Sequence, residues 1–363
     1  MKEPTTAAGG DILIVGGYGV VGKRIAALLA PKFPGRVVIG GRDAARASTL
    51  CSSLGDGTLP RRIDVNDAGQ FDEALKGVGT IIACVAQAEP SLLRAAVARG
   101  LSYTDIAPRL AFWEGARELH RQAQQSGARV LLGAGLSPGI SNMMARKLAD
   151  LAGAVESVET SILLSLGDEY GADSLEHVLE SLKQPFKLFR HGRYESAAPF
   201  NEGERIAFPV LGSRMAYVFP WSDVVYYPKT LGASTAIGRL ALEPPWINKA
   251  LRRLVRAGAP RWLEEHGMRG GQRRAIDRLK RAYAGSDQFA LRVSVVSGGR
   301  TLAMTLVGRG QADVTAAGAA ELCRMLAARE VTAPGVWCPE QVVSAEAFFA
   351  ALERMGWQAE LQL

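Results

Sequence analysis

Residues 11–22, DILIVGGYGVVG, constrain this chain most. Ile12, Leu13, Ile14 and Val15 follow one another with no polar break. Such a run reads as a strand buried on both faces, as in a parallel sheet. Gly17, Gly19 and Gly22 then have the spacing G-x-G-x-x-G, and residues 23–30 form a strong helix signal with Ile25 and Leu28/Leu29 on one face. Strand, glycine turn and helix in that order is the setting in which this spacing cradles the pyrophosphate of a dinucleotide. The first glycine permits the tight turn, the second lets backbone approach the phosphates, and the third lets helix pack on strand. The helix start adds free N–H groups and the positive end of its dipole. Gly17, Tyr18, Gly19, Val20, Val21 and Gly22 are therefore the expected cofactor contacts.

A chain of 363 residues has room for two or three domains, and two is the expectation. No apolar run is long enough to span a bilayer, and the polar residues 1–10 lack the apolar core of a signal segment. Cys51, Cys84, Cys323 and Cys338 are scattered, without C-x-x-C spacing or a nearby His. That pattern argues against a disulfide framework or a metal site, so the expectation is a cytoplasmic protein with no metal.

The second apolar strand, residues 36–40, ends in Gly40-Gly41-Arg42-Asp43. In NAD-binding chains of this kind an acid at this strand end holds the ribose 2′-hydroxyl. Here a small residue is followed by Arg42, which leaves room for a 2′-phosphate and supplies its counter-charge. The expectation is NADP(H); Asp43 is the competing reading, since a shift of one residue puts an acid near the ribose. Residues 61–65 read as a third strand, with Asp64 and Val65 lining the adenine or Asp64 capping the next helix. Residues 80–85 read as a fourth strand, so Cys84, Val85 and Ala86 face the crevice beyond the strand ends. A fifth strand spans residues 101–106, a helix 112–126, and a sixth strand 128–133. Repeated β-α units predict an α/β fold, a doubly wound parallel Rossmann sheet.

Gly133 to Gly139 is rich in small residues, and its turn opens a helix over residues 143–151. Beyond residue 155 the pattern changes to short β-prone pieces between turns. This predicts an α+β domain with a mixed, largely antiparallel sheet, including a hairpin at Ser297-Gly298-Gly299-Arg300. Residues 249–281 read as basic helices, with eleven Lys and Arg against Glu264, Glu265 and Asp277. Leu251, Leu254 and Val255 are the expected buried stripe between the arginines. No nucleic-acid motif accompanies the charge, and membrane-surface association is compatible with it but not favoured. The expected partners are a small-molecule substrate and a second copy in a homodimer, without nucleic acid.

The chain resembles the saccharopine dehydrogenase-like NADP(H) oxidoreductases. The resemblance rests on Gly17, Gly19 and Gly22, Gly41-Arg42, Tyr103-Thr104-Asp105, Gly135-Leu136-Ser137-Pro138-Gly139 with Asn142, and a tail running from Thr315 through Pro334-Gly335-Val336 to Pro339-Glu340. It implies a dinucleotide-binding domain over residues 1–135, an inserted substrate and dimerisation domain over 136–310, and a segment 311–363 returning to the first domain. Ser137 stands where close saccharopine reductases usually have Asp, so the resemblance leaves the substrate open.

Hydride chemistry asks the chain to orient, polarise and exclude water. Asp105, Tyr103 and Cys84 are the candidates for a proton relay by strand position, with Tyr103 and Asp105 on one face. Tyr170, Tyr226 and Tyr227 are alternatives from the second domain. Ser137, Pro138 and Gly139 are expected at the substrate, and Arg190, Arg193 and Arg214, with His191, as clamps for substrate carboxylates. The expected reaction is reduction of an imine formed from an amino acid or amine and a carbonyl compound. The alternatives are reduction of C=C or C=O in a lipid or secondary metabolite, and a non-catalytic nucleotide-binding protein.

Overall fold

The computed structural model describes residues 9–106, 110–169, 178–265 and 286–362. The chain divides into two compact units, residues 1–140 with 312–355 and residues 141–311 with 356–363.

In the first unit β1 (Asp11–Val15), β2 (Val37–Gly41), β3 (Leu59–Arg62), β4 (Val78–Ala83), β5 (Ser102–Asp105), β6 (Arg129–Leu131) and β15 (Gly335–Trp337) form one sheet. Its order is β15-β6-β5-β4-β1-β2-β3, and every pairing is parallel. The order reverses between β1 and β4, the switch point at which such sheets open a ligand crevice. Ile12, Leu13 and Ile14 are fully buried, as the unbroken apolar run requires.

Two strands sit earlier than their sequence pattern suggests. β3 ends at Arg62, so Asp64 and Val65 lie beyond the sheet. Its partner β2 stops at Gly41 because Asp43 turns the chain into α2 (Ala44–Leu54), capping the N–H groups of Ala45 and Arg46. β4 ends at Ala83 because β1 runs out at Val15, its register partner. Cys84, Val85 and Ala86 are therefore loop residues, half-buried at the carboxyl edge. The helix expected over 112–126 is two helices, Leu110–Glu118 and His120–Ser126. His120 accepts the Val336 N–H, tying the second of them to β15.

The second unit holds a mixed sheet of order β10-β11-β12-β7-β13-β14-β16, with β8 on β12 and β9 on β8. Its strands are β7 (Ser157–Ser165), β8 (Phe186–Arg190), β9 (Arg193–Ala197), β10 (Gly203–Phe208), β11 (Gly212–Val218), β12 (Thr235–Glu243), β13 (Gln288–Ser297), β14 (Arg300–Arg309) and β16 (Ala359–Gln362). Only β12 with β7 is parallel. Gly298 and Gly299 both have positive φ, 55° and 74°, which a two-residue turn matched to the strand twist demands. The last segment forms a closing strand. Residues 356–363 belong to this second unit, where β16 pairs with β14.

The basic segment is helical over Trp246–Arg256 and Ala259–Glu265, and residues 266–285 lie outside the described residues. The expected buried stripe does not form as drawn. Leu254 is 53% exposed, and Ile247 and Asn248 are the buried residues. Asn248 determines which face turns inward, because its amide bonds both the N–H and the carbonyl of Leu242.

Candidate functional site

The glycine loop assigns a separate job to each glycine. A Cβ on Gly16 (φ +77°) lies 2.5 Å from Val85 Cγ1, and one on Gly22 lies 2.3 Å from the Gly16 carbonyl oxygen. Those positions are closed by the chain itself. A Cβ on Gly19 meets only the Gly16 oxygen, at 3.1 Å. Gly19 is also the N-cap of α1 (Val20–Leu29) and offers no side-chain cap. The first-turn N–H groups of Val20, Val21 and Gly22 thus keep their capacity for an anionic acceptor. Gly22→Ala is expected to destabilise the fold by about 1–3 kcal/mol, as overpacking does. Gly19→Ala is expected to leave the melting temperature nearly unchanged while weakening dinucleotide affinity at least about tenfold. Thermal melts and a fluorescence titration separate the two.

At the end of β2, Gly41 lies under Tyr18, with a Cβ there 2.4 Å from the ring. The Tyr18 hydroxyl accepts the Asp43 N–H at 3.0 Å, and the Arg46 guanidinium lies 4.6 Å from the ring centroid. Asp43 Oδ1 is the helix cap, so the competing reading of Asp43 rests on Oδ2. Arg42 is exposed and makes no ion pair among the described residues. Asp64 Oδ1 accepts the Asn66 N–H in a local turn, while Asp67 caps the following helical turn.

Asp105 ends β5, two strands from the glycine loop, about 10 Å across the sheet. It is 3% exposed. Oδ1 accepts the Gly133 N–H at 2.9 Å, whereas Oδ2 is buried with no partner among the described residues. Burial pushes its carboxyl up to about 7, against the opposing pull of the Gly133 hydrogen bond. Tyr103 is fully buried and accepts a hydrogen bond from Gln87 Nε2 at 2.8 Å. Burial and the neighbouring Asp105 hold its phenol well above its ordinary range. Burial likewise pushes the Cys84 thiol far up. Of the three relay candidates, Asp105 alone can exchange a proton near neutrality.

Gln87, four residues past the end of β4, closes the stretch from Cys84 that the sequence places at the ligand crevice, although it was given no role there. It is 7% exposed, and its Oε1 is buried without a partner. Its signal was its place as the first polar residue after the apolar strand and its short loop.

The turn at Ser137-Pro138-Gly139 follows the residues that hold Asp105. Its glycines are needed by the chain: a Cβ on Gly139 (φ +135°) falls 2.2 Å from the Gly135 oxygen, and one on Gly135 falls 2.2 Å from the Ile106 oxygen. Gly133 and Ala134 donate their N–H groups to the side chain and the backbone of Asp105. Pro138 and Gly139 are buried, and Ser137 is half-buried.

In the second unit each expected clamp meets an acid of its own domain. Arg190 forks onto Glu202, Arg193 pairs with Glu195, and Arg214 pairs with Glu243. None of the three is an unengaged clamp. His191 is exposed, and its backbone N–H bonds Thr235 Oγ1. Tyr226 and Tyr227 are fully buried, and the Tyr227 hydroxyl joins Asp223 and Thr160. Tyr170 lies outside the described residues. No group of residues suited to hold a metal ion occurs among the described residues.

Residues 12–131 match the family described as Saccharopine dehydrogenase NADP binding domain. That stretch is similar to the NADP-binding domain of saccharopine dehydrogenases. The match supports a nicotinamide dinucleotide cofactor, and the open Gly19 and uncapped helix start leave room for its phosphates. No curated protein sequence matches the chain. Among solved structures, saccharopine dehydrogenase (L-Glu forming) of Saccharomyces cerevisiae is 16% identical with a TM-score of 0.69, over 98% of this chain and 100% of that one. The saccharopine dehydrogenase fold thus extends over both units. GenD2 from gentamicin A biosynthesis, solved with NAD, is 14% identical over 100% and 99% of the two chains, with a TM-score of 0.46. No helix among the described residues is long and apolar enough to cross a membrane.

Proposed function

We propose that this saccharopine dehydrogenase-like protein is an NADP(H)-dependent oxidoreductase that reduces an imine formed from an amino acid or amine and a carbonyl compound. The observation that carries the reading is Asp105, a buried carboxyl with one oxygen engaged and the other unpartnered, on the same sheet edge as the glycine loop. Arg42, exposed after Gly41 and without an ion pair among the described residues, supports the 2′-phosphate form of the cofactor.

A bound nicotinamide would supply the hydride. The chain does the rest. The α1 start and the glycine loop hold the phosphates. Gly133 orients Asp105 through Oδ1, leaving Oδ2 to carry a proton. Oδ2–H protonates the imine nitrogen, which makes the carbon a better hydride acceptor. The carboxylate left behind accepts a hydrogen bond from the amine product. A carboxyl held near 7 suits both states.

A second reading, reduction of C=C or C=O in a lipid or secondary metabolite, is favoured by one observation. Arg190, Arg193 and Arg214 already face acids, so a substrate rich in carboxylates lacks these clamps. The test is NADPH consumption with pooled amino acids and amines plus pooled keto acids or aldehydes, beside pooled enones and ketones alone. Turnover that requires the amine supports the imine reading. Turnover with enones or ketones alone supports the second. Tight NADPH binding without turnover in any pool sinks both and leaves a nucleotide-binding protein.

A further inference from the structure

The helix Trp246–Arg256 turns an unusual mixture of side chains toward solvent. Ile247 and Asn248 are buried, and Leu251, Arg252 and Val255 are half-buried, which defines the inward face. Arg252 is committed to that face, over the Tyr217 ring at 5.4 Å and donating to the Asn201 carbonyl. At 3.6 residues per turn the opposite sector carries Trp246, Lys249 and Arg253, with the exposed Leu254 on one flank and Arg256, which donates to Asn201 Oδ1, on the other. Trp246 is 55% exposed and Leu254 53%, and Trp262 on the next helix is also 53% exposed. The helix contains no acid.

We propose that this face docks the protein on the surface of an anionic lipid bilayer. The exposed cations meet the lipid phosphates, and Trp246 and Leu254 enter the boundary between headgroups and acyl chains. Basic helices that lie in a membrane plane combine these same two elements. Charge decides against the nearest alternative. A symmetric contact with a second copy would set the same cations against one another. A nucleic acid would satisfy the cations but gives Leu254 no apolar surface to leave water for.

The full chain is sedimented with vesicles of phosphatidylcholine alone and of phosphatidylcholine mixed with phosphatidylglycerol. Retention by the mixed vesicles only is expected, falling as salt approaches about 1 M and the screening length shrinks to about 3 Å. Trp246→Ser combined with Leu254→Ser is expected to weaken retention at least about tenfold, with an unchanged melting temperature because both side chains are exposed. Lys249→Glu with Arg253→Glu should weaken it further, since each cation near such a surface contributes about fivefold. Equal retention by neutral vesicles, retention by neither, or undiminished retention of both variants overturns the proposal. Tighter binding to a DNA duplex than to the mixed vesicles overturns it in favour of nucleic acid. Self-association that both variants abolish overturns it in favour of a second copy.

Discussion

Asp105→Asn is expected to lower the rate of amine-dependent NADPH oxidation by about a hundredfold or more, the usual worth of a positioned acid. The amide oxygen can keep the Gly133 hydrogen bond, so the loss isolates the proton. Because burial raises the carboxyl to about 7, kcat/KM for reduction should fall as pH rises through that value. In Asp105→Asn that break should vanish. Stability supplies an independent readout. A carboxyl raised from its unfolded value of about 4 stabilises the fold at low pH, and that contribution is lost as pH rises through about 7. At pH 8 the amide variant should therefore melt at or above the wild type. A variant that melts lower at both acidic and basic pH, with an unchanged rate profile, would leave Asp105 only a structural part.

Arg42→Ala should raise KM for NADPH by about ten- to a hundredfold, the worth of one or two charge-assisted hydrogen bonds. KM for NADH should stay within about twofold, because the guanidinium then has no phosphate to meet. The difference should shrink as salt rises, since Arg42 is exposed. Equal weakening of both cofactors would place the 2′-phosphate elsewhere.

Patterns fixed by backbone geometry were readable from residues alone. Ile12 to Val15 had to be a central strand because no polar residue interrupts them, and Gly298-Gly299 had to be a hairpin turn because both need positive φ. Boundaries failed where a partner element decided them. β3 and β4 stop where β2 and β1 stop, and nothing in residues 61–65 or 80–85 carries that information. Side-chain chemistry was least legible. The glycines around the Ser137-Pro138-Gly139 turn, expected at the substrate, are required by the chain as well, and which backbone atoms crowd them is not written in the local sequence. Arg190 and Arg214 looked available because their acids Glu202 and Glu243 come from other segments of the fold, which charge counting along a sequence does not reveal, whereas Arg193 meets Glu195 two residues on along its own strand.

β15 joins the edge of the first sheet from residues 335–337, far along the chain from its neighbour β6. All of residues 141–311 therefore leave the ribosome before the nucleotide-binding sheet can be completed. The second sheet in turn waits for β16. Synthesis proceeds from the N-terminus, yet neither unit can finish before the other is almost fully made. A translational pause or nick anywhere between residues 141 and 334 would thus strand a nucleotide-binding sheet with β6 as an open edge, a template for mispairing. Expression yield should accordingly respond more to changes late in the chain than the location of the cofactor loop at residues 16–22 suggests.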